Sequence, residues 1–221
     1  MKEHGLLCTA SVALALHEGR QTQDRRPMKA QPPKGLEKMF PYPKIHGNIC
    51  LWCAEKDVDF PCWKYHSVCP VQVGDIFYVR ETWTPGYMDG CWGTIFAADN
   101  SFIQGARRHV KGPYFHAKEI GPHIKWRPSI HMPRWASRTR KLVTGIRVEH
   151  GPEISEEDAI AEGMHSFLQS KGDFDAIEIY ESSYLQNQSA TAAEAFQKLW
   201  HSLYGDDKSW RWVYDLDNVS K

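Results

Sequence analysis

Alternating apolar and polar positions predict strands at Val73–Thr82 (VGDIFYVRET) and Lys141–Glu149 (KLVTGIRVE), and Trp92–Ala98 (WGTIFAA), turning at Asp99-Asn100, reads as another. A fourth closes the sequence, where Trp210, Trp212, Tyr214 and Leu216 alternate with Arg211, Val213, Asp215 and Asp217. In the first of these Gly74-Asp75 supplies a turn. Ile76, Tyr78 and Arg80 then face one way, and Phe77, Val79 and Glu81 the other. Helical signals lie between the strands. Leu6–Leu16 (LLCTASVALAL) reads as a short strand and then a helix, capped by Ser11 and ended by a left-handed Gly19. Ser155 with Asp158 forms a capping box closed by Gly163, and Thr191 with Glu194 repeats it ahead of a helix ended by Gly205. Phe196, Leu199, Trp200 and Leu203 share one face of that last helix.

Several strands with a few helices at their margins predict an α+β domain on a small barrel or curled sheet. Pro27–Pro43, rich in Pro and Lys, reads as an ordered loop or arm, and Phe167–Ser189 has no clear period. No repeat of fixed length occurs. The 221 residues suit one sizeable domain or a core with large insertions. With 42% apolar and 24% charged residues the chain is neither disordered nor fibrous, and no apolar run approaches the length of a membrane span. Leu6–Leu16 imitates a secretion signal, with Ala13-Leu14-Ala15 as a mock cleavage site. Thr9 and Ser11 interrupt the run and Glu3 offsets Lys2, so a folded segment and a cytoplasmic location are the expectation.

The zero net charge conceals a strong segregation. Gly105–Lys141 holds ten Lys/Arg and one acid, Glu119, whereas Glu149–Asp217 holds fifteen acids and four Lys/Arg, or about +9 against −11. Two basic stretches carry candidate chemistry. In Gly19–Pro27 (GRQTQDRRP), Arg20, Arg25 and Arg26 offer planar forks suited to phosphate or carboxylate, beside Gln21, Thr22 and Asp24. In Lys125–Arg138 (KWRPSIHMPRWASR), Arg127, Arg134 and Arg138 interleave with Trp126 and Trp135, next to Ser129 and Ser137. Pro128 and Pro133 make this a shaped loop. Cations beside indoles suit a nucleotide, the cation meeting phosphate and the ring stacking on a base. The alternative is that the indoles are core anchors and the arginines pair with the acidic C-terminal region.

Cys50 and Cys53 form a CxxC, followed by Cys62, His66 and Cys69. A structural zinc on Cys50, Cys53, Cys62 and Cys69 is one reading and buried thiols are the other; no cofactor is required. Glu81 follows Arg80 at a strand end. Glu162, in the last turn of the Ser155 helix, meets the negative end of the helix dipole, which raises a carboxyl pKa and suits a general base.

GRQTQDRRP after a short helix, VGDIFYVRETW, KWRPSIHMPRWASR, LVTGIRVE, ISEEDAIAEGM and AFQKLWHSLYG before WRWVYDL occur in an order that resembles the ASCH-domain family, and most closely its phage and prophage branch. The resemblance spans residues 1–221 as one domain and is weakest at about 28–68, 85–123 and 167–189, which read as insertions. It implies a PUA-like small β-barrel with peripheral helices and loop insertions, and RNA, nucleoside or nucleotide as partner. The residues assigned to that partner are Arg20, Gln21, Arg25, Arg26, Arg80, Glu81, Trp126, Arg127, Ser129, Arg134, Trp135, Ser137 and Arg138. A few small ASCH proteins are amidohydrolases that deacylate N4-acylcytidine with a Lys, a Thr and a Glu. By position these fall on Gln21, Asp24 and Glu162, so only the Glu matches. Lys125 is a candidate replacement for the amine, and Thr22, Asp24 or Ser137 for the nucleophile.

Overall fold

Local capping signals act close to where the sequence puts them. The computed structural model describes residues 1–32, 44–46, 49–53, 63–105, 113–151, 153–170, 176–181, 189–205 and 209–219, with the backbone path alone at 44–46, 49–53, 63–66, 167–170 and 176–181. Strand β1 is Glu3–Leu7 and helix α1 is Ala10–Glu18. Thr9, rather than Ser11, caps α1. Its extended backbone (φ −69°, ψ 166°) lets the hydroxyl accept from the Val12 amide, while Ser11 bonds the Thr9 hydroxyl at 3.2 Å. Gly19 ends α1 at φ 79°, a conformation that costs a residue with a Cβ.

The remaining elements are β2 (Gln23–Pro27), β3 (Lys44–His46), β4 (Ile49–Cys53), β5 (Trp63–Val68), β6 (Ile76–Arg80), β7 (Trp83–Met88), β8 (Cys91–Phe96), β9 (Phe102–Gln104), β10 (Phe115–His116), β11 (Arg140–His150), α2 (Glu156–Ala161), β12 (His165–Ser170), β13 (Ala176–Glu181), α3 (Ala192–Tyr204) and β14 (Trp210–Asn218). Single 3₁₀ turns occupy Ser129–His131 and Arg134–Ala136. The architecture is α+β with mixed sheets and few helices, and among the described residues no strand order closes into a barrel. Among the described residues no helix is long and apolar enough to cross a membrane.

The chain divides into two compact units, each assembled from separate stretches. One comprises Thr22–Asp75 and Leu142–Asp217 with Met1. The other comprises Lys2–Gln21, Ile76–Lys141 and Asn218–Lys221. The first holds thirteen Lys/Arg and twenty-one Asp/Glu, the second fourteen and six, giving about −8 and +8. The charge segregation along the sequence is therefore a segregation between folded units.

In the acidic unit β14 lies between β11 and β2, with Val213 opposite Arg25 and Asp215 opposite Gln23. The alternation of β14 predicts one buried face. Both are buried, Arg211 and Val213 included. Arg211 lies 4.3 Å over the Trp200 ring of α3. Ser155 and Thr191 cap α2 and α3 through the amides of Asp158 and Glu194. The two helices meet in an apolar cluster of Ala159, Met164, Ala192, Ala195, Phe196 and Trp200, with Leu199 packed on it. Leu203, expected on the same face, is exposed, since the last turn of α3 runs past this cluster. The antiparallel sets β3–β4–β5 and β12–β13 complete the unit.

In the basic unit β1 runs parallel to β6, and β10, β7, β8 and β9 form a second sheet in that order. Trp83, Phe96, Met132 and Ala136 make its buried cluster. Gly86 and Gly93 face each other across β7 and β8. A Cβ on Gly93 would strike the Phe102 ring and the Ile103 carbonyl, so the missing side chain lets Phe102 lie on the sheet. The three stretches expected as loop insertions thus carry β3–β5, much of β7–β10, and β12–β13. Their strands are two to six residues long; the one read at Trp92–Ala98 stands as β8, and the others are too short for an alternation to be read.

Candidate functional site

The arginine-rich stretch of the acidic unit is extended as β2, so its side chains alternate. Asp24 and Arg26 share one side, where Arg26 grips Asp24 through two bonds of 2.7 and 3.0 Å. Arg25 takes the other and is 1% exposed. Its guanidinium donates to Glu149 at 3.1 and 3.3 Å, to Asp158 and Glu162 at 2.8 Å each, and to Gln23 at 3.0 Å. Arg147 binds Glu149, Asp158 and Asp215 from β11 at 2.7–2.8 Å. Five carboxylates therefore share three guanidiniums. Burial resists the charge on Glu162; Arg25 favours it and the nearby Asp24 opposes it, and the carboxyl is pushed up to about 7. Asp158 goes the opposite way: burial opposes its charge, but the Gln23 hydrogen bond and Arg147 and Arg25 outweigh it and hold the carboxyl below its usual range.

The basic unit repeats the theme. Arg138 makes a two-pronged bond to Glu81, both arms 2.9 Å, and donates to Asp99 and Ser101 at 2.7 Å each. Arg138 and Glu81 are each 1% exposed, and Arg138 lies 4.3 Å over the Phe96 ring. Burial raises the Glu81 carboxyl against the pull of Arg138. The Ser137 hydroxyl donates to the Val79 and Thr139 carbonyls at 2.8 and 3.0 Å, which commits its proton to bracing the loop. Arg127 pairs through its backbone with Trp83 and lies 5.3 Å over that ring. Trp135 meets the same ring edge-on at 6.0 Å and remains 37% exposed. Beside it the Arg134 side chain is 59% exposed and paired with Glu3.

Next to this loop is a cavity of about 490 Å³, bounded by Ser137–Arg140, by His17 of α1 and by Asn218 and Val219 at the end of β14. His17 Nδ1 and the Thr139 hydroxyl are 2.9 Å apart. Burial first, then the charge of Arg138, lowers the His17 pKa and keeps the ring neutral at neutral pH. Lys141 donates to the Asn218 side chain at 2.7 Å. Arg140, half exposed, lies 3.6 Å from Glu3.

Arg25, Arg26 and Arg138, expected to grip phosphate, are engaged by the protein's own carboxylates. The reason is register. β2 sets Arg25 against Glu149, Asp158 and Glu162, which stand 124 to 137 residues away in sequence. The two basic stretches also divide between the units after Gln21. Arg20 pairs with Glu18 at the surface, Gln21 is buried and Thr22 is exposed, its amide bonded to the Ala161 carbonyl. Arg80 donates to the Ile130 carbonyl. Lys125 is exposed, and Trp126 and Ser129 are half-buried. Lys125 and Ser137 belong to the basic unit and Glu162 to the acidic one.

The CxxC lies on strand β4 rather than in a turn. The side chains of Cys50 and Cys53, and all of Cys62, fall outside the described residues. Cys69 is buried, its sulfur 3.4 Å from the Tyr214 hydroxyl, and burial pushes its thiol up, away from the thiolate that a metal takes. Among the described residues no three His, Cys, Asp or Glu side chains cluster as a metal site. His17, Thr139, Arg140, Arg147 and Glu149 escaped the sequence reading. Arg140 was visible as one more cation beyond the basic loop, but the others carried no local signal.

Comparison of the chain with protein-family models, with curated proteins and with solved structures returns no match in any of the three.

Proposed function

We propose that this protein binds RNA or a nucleoside or nucleotide through its basic unit, in a PUA-like arrangement of the kind the ASCH resemblance implies. The observation that carries the reading is the concentration of charge: a unit of about +8 presents an exposed indole, Trp135, next to the exposed Arg134, beside an open cavity. A polyanion is drawn to such a unit by counterion release, and a splayed base stacks on an exposed ring. Arg127 and Arg138 serve it indirectly, fixing Trp83 and the Ser137–Arg140 loop. Fluorescence anisotropy with a single-stranded RNA, at low and at physiological salt, tests the reading. Binding that weakens steeply with salt, and weakens further in Trp135→Ala and Arg134→Ala, is the expected result. No binding at low salt, or binding indifferent to both substitutions, overturns it.

A second reading has its own observation. Glu162 is buried, carries a carboxyl raised to about 7 and occupies the position of the family's catalytic Glu. A carboxyl poised near neutrality suits proton transfer during deacylation of an N4-acylcytidine-type nucleoside. Gln21 and Asp24 stand where the family has its amine and hydroxyl, so the reading requires Glu162 to work with Asp24 or Thr22. Spectrophotometric turnover of N4-acetylcytidine by the wild type, absent in Glu162→Gln, supports it; equal rates dismiss it.

A further inference from the structure

The cavity beside the Ser137–Arg140 loop has a lining that selects its occupant. Two guanidinium residues, one imidazole, two hydroxyl side chains and one amide border it, and Val219 is the apolar member. No phenyl, phenol or indole ring is among them, so the cavity offers a base no large aromatic platform. Its volume of about 490 Å³ lies within the usual range of small-ligand sites.

The polar groups differ in how committed they are. Arg138 is held by Glu81, Asp99 and Ser101 and forms a fixed wall. The Ser137 hydroxyl is turned to backbone carbonyls. Thr139 fixes one ring nitrogen of His17, which orients the other nitrogen, Nε2. Arg140 is the least engaged charge: it is half exposed, and the carboxylate next to it, Glu3, stands at 3.6 Å and is already engaged by Arg134. A guanidinium fork with an uncommitted face is matched to phosphate oxygens, and neutral imidazole and amide groups are matched to sugar hydroxyls.

We infer that this cavity is a site for a phosphorylated sugar, the ribose–phosphate portion of a nucleotide or of an RNA end, with Arg140 on the phosphate and His17 and Asn218 on the hydroxyls. The inference rests on the nucleotide-binding reading above and deepens it, placing backbone recognition in the cavity and leaving base stacking to Trp135.

Calorimetric titration of the full chain with ribose 5-phosphate, ribose, inorganic phosphate and an unphosphorylated nucleoside tests it, together with anisotropy on RNA with and without a 5′-phosphate. Ribose 5-phosphate is expected to bind best of the four small probes, and to bind about tenfold or more weakly in Arg140→Ala. His17→Ala weakens it as well. Displacement of 5′-phosphorylated RNA by ribose 5-phosphate, with no displacement of the unphosphorylated RNA, identifies an RNA end as the source; displacement of neither, with ribose 5-phosphate still bound, identifies a free nucleotide. Nucleoside or inorganic phosphate matching ribose 5-phosphate overturns the proposal, as does an unchanged affinity in both variants. RNA bound through Trp135 while ribose 5-phosphate fails to bind refutes the cavity site alone, and failure of both refutes the nucleotide-binding reading as well.

Discussion

Replacing Arg25 by Met keeps most of the aliphatic stem but removes the guanidinium, which lies 5.7 Å over the Phe196 ring and is the one charge shared by Glu149, Asp158 and Glu162. Taking one partner from a buried ion pair costs about 3–5 kcal/mol, because the other charge is left buried. The lower end applies here. Glu149 and Asp158 are 23% and 28% exposed and keep Arg147, so the penalty concentrates on Glu162, which is 7% exposed. Arg25→Met is therefore expected to unfold at about 3 kcal/mol lower stability than the wild type in urea titrations at pH 7.5. Lowering the pH shrinks the loss. Without Arg25 the folded state holds Glu162 protonated to still higher pH, so the variant gains on the wild type as protons bind. At pH 5 Glu162 is protonated in both proteins, since its carboxyl already titrates near 7 in the wild type. An unchanged urea midpoint at pH 7.5, or a loss undiminished at pH 5, refutes the idea that Arg25 holds a surplus of buried negative charge.

Glu162→Gln isolates the pH term. A carboxyl raised in the folded state contributes stability that is complete below its unfolded value and is lost as pH rises through about 7, so the variant flattens the decline in urea stability between about 4.5 and 7. Asp158 works in the other direction: its contribution is present above the unfolded value and disappears as pH falls through its lowered folded value, so Asp158→Asn makes stability less sensitive to acid. Arg138→Ala strands Glu81 and costs about 3–5 kcal/mol by thermal or urea unfolding, while the double variant with Glu81→Gln loses less than the single one. Gly93→Ala drives a methyl into the Phe102 ring and the Ile103 carbonyl and costs about 1–3 kcal/mol in the same measurement.

What the sequence made legible was local. Ser155, Thr191 and Gly19 act through partners within three or four residues, and the strands read at WGTIFAA and KLVTGIRVE stand as β8 and β11. Glu162 was singled out as a carboxyl with a raised pKa, but burial rather than the helix dipole heads the causes. The partners of Arg25 and Arg138 were not legible, because no spacing rule joins Arg25 to Glu162 or Arg138 to Glu81. The charge blocks were plain in the sequence, and pairing of the basic loop's arginines with the acidic C-terminal region was an open alternative. Arg134 and Arg138 of that loop pair instead with Glu3, Glu81 and Asp99, while Arg25 of β2 takes Glu149, Asp158 and Glu162. The cavity drew on His17 and Asn218, separated by most of the chain, and only the fold brings them together.

The interleaving of the two units has a consequence for biosynthesis. The basic unit takes Asn218, the residue that receives Lys141, from beyond the whole second half of the acidic unit. A chain emerging from the ribosome in order must present residues 142–217 before that contact can form. The cavity that Asn218 borders is thus among the last parts of the basic unit to be finished, after the second half of the acidic unit has been made.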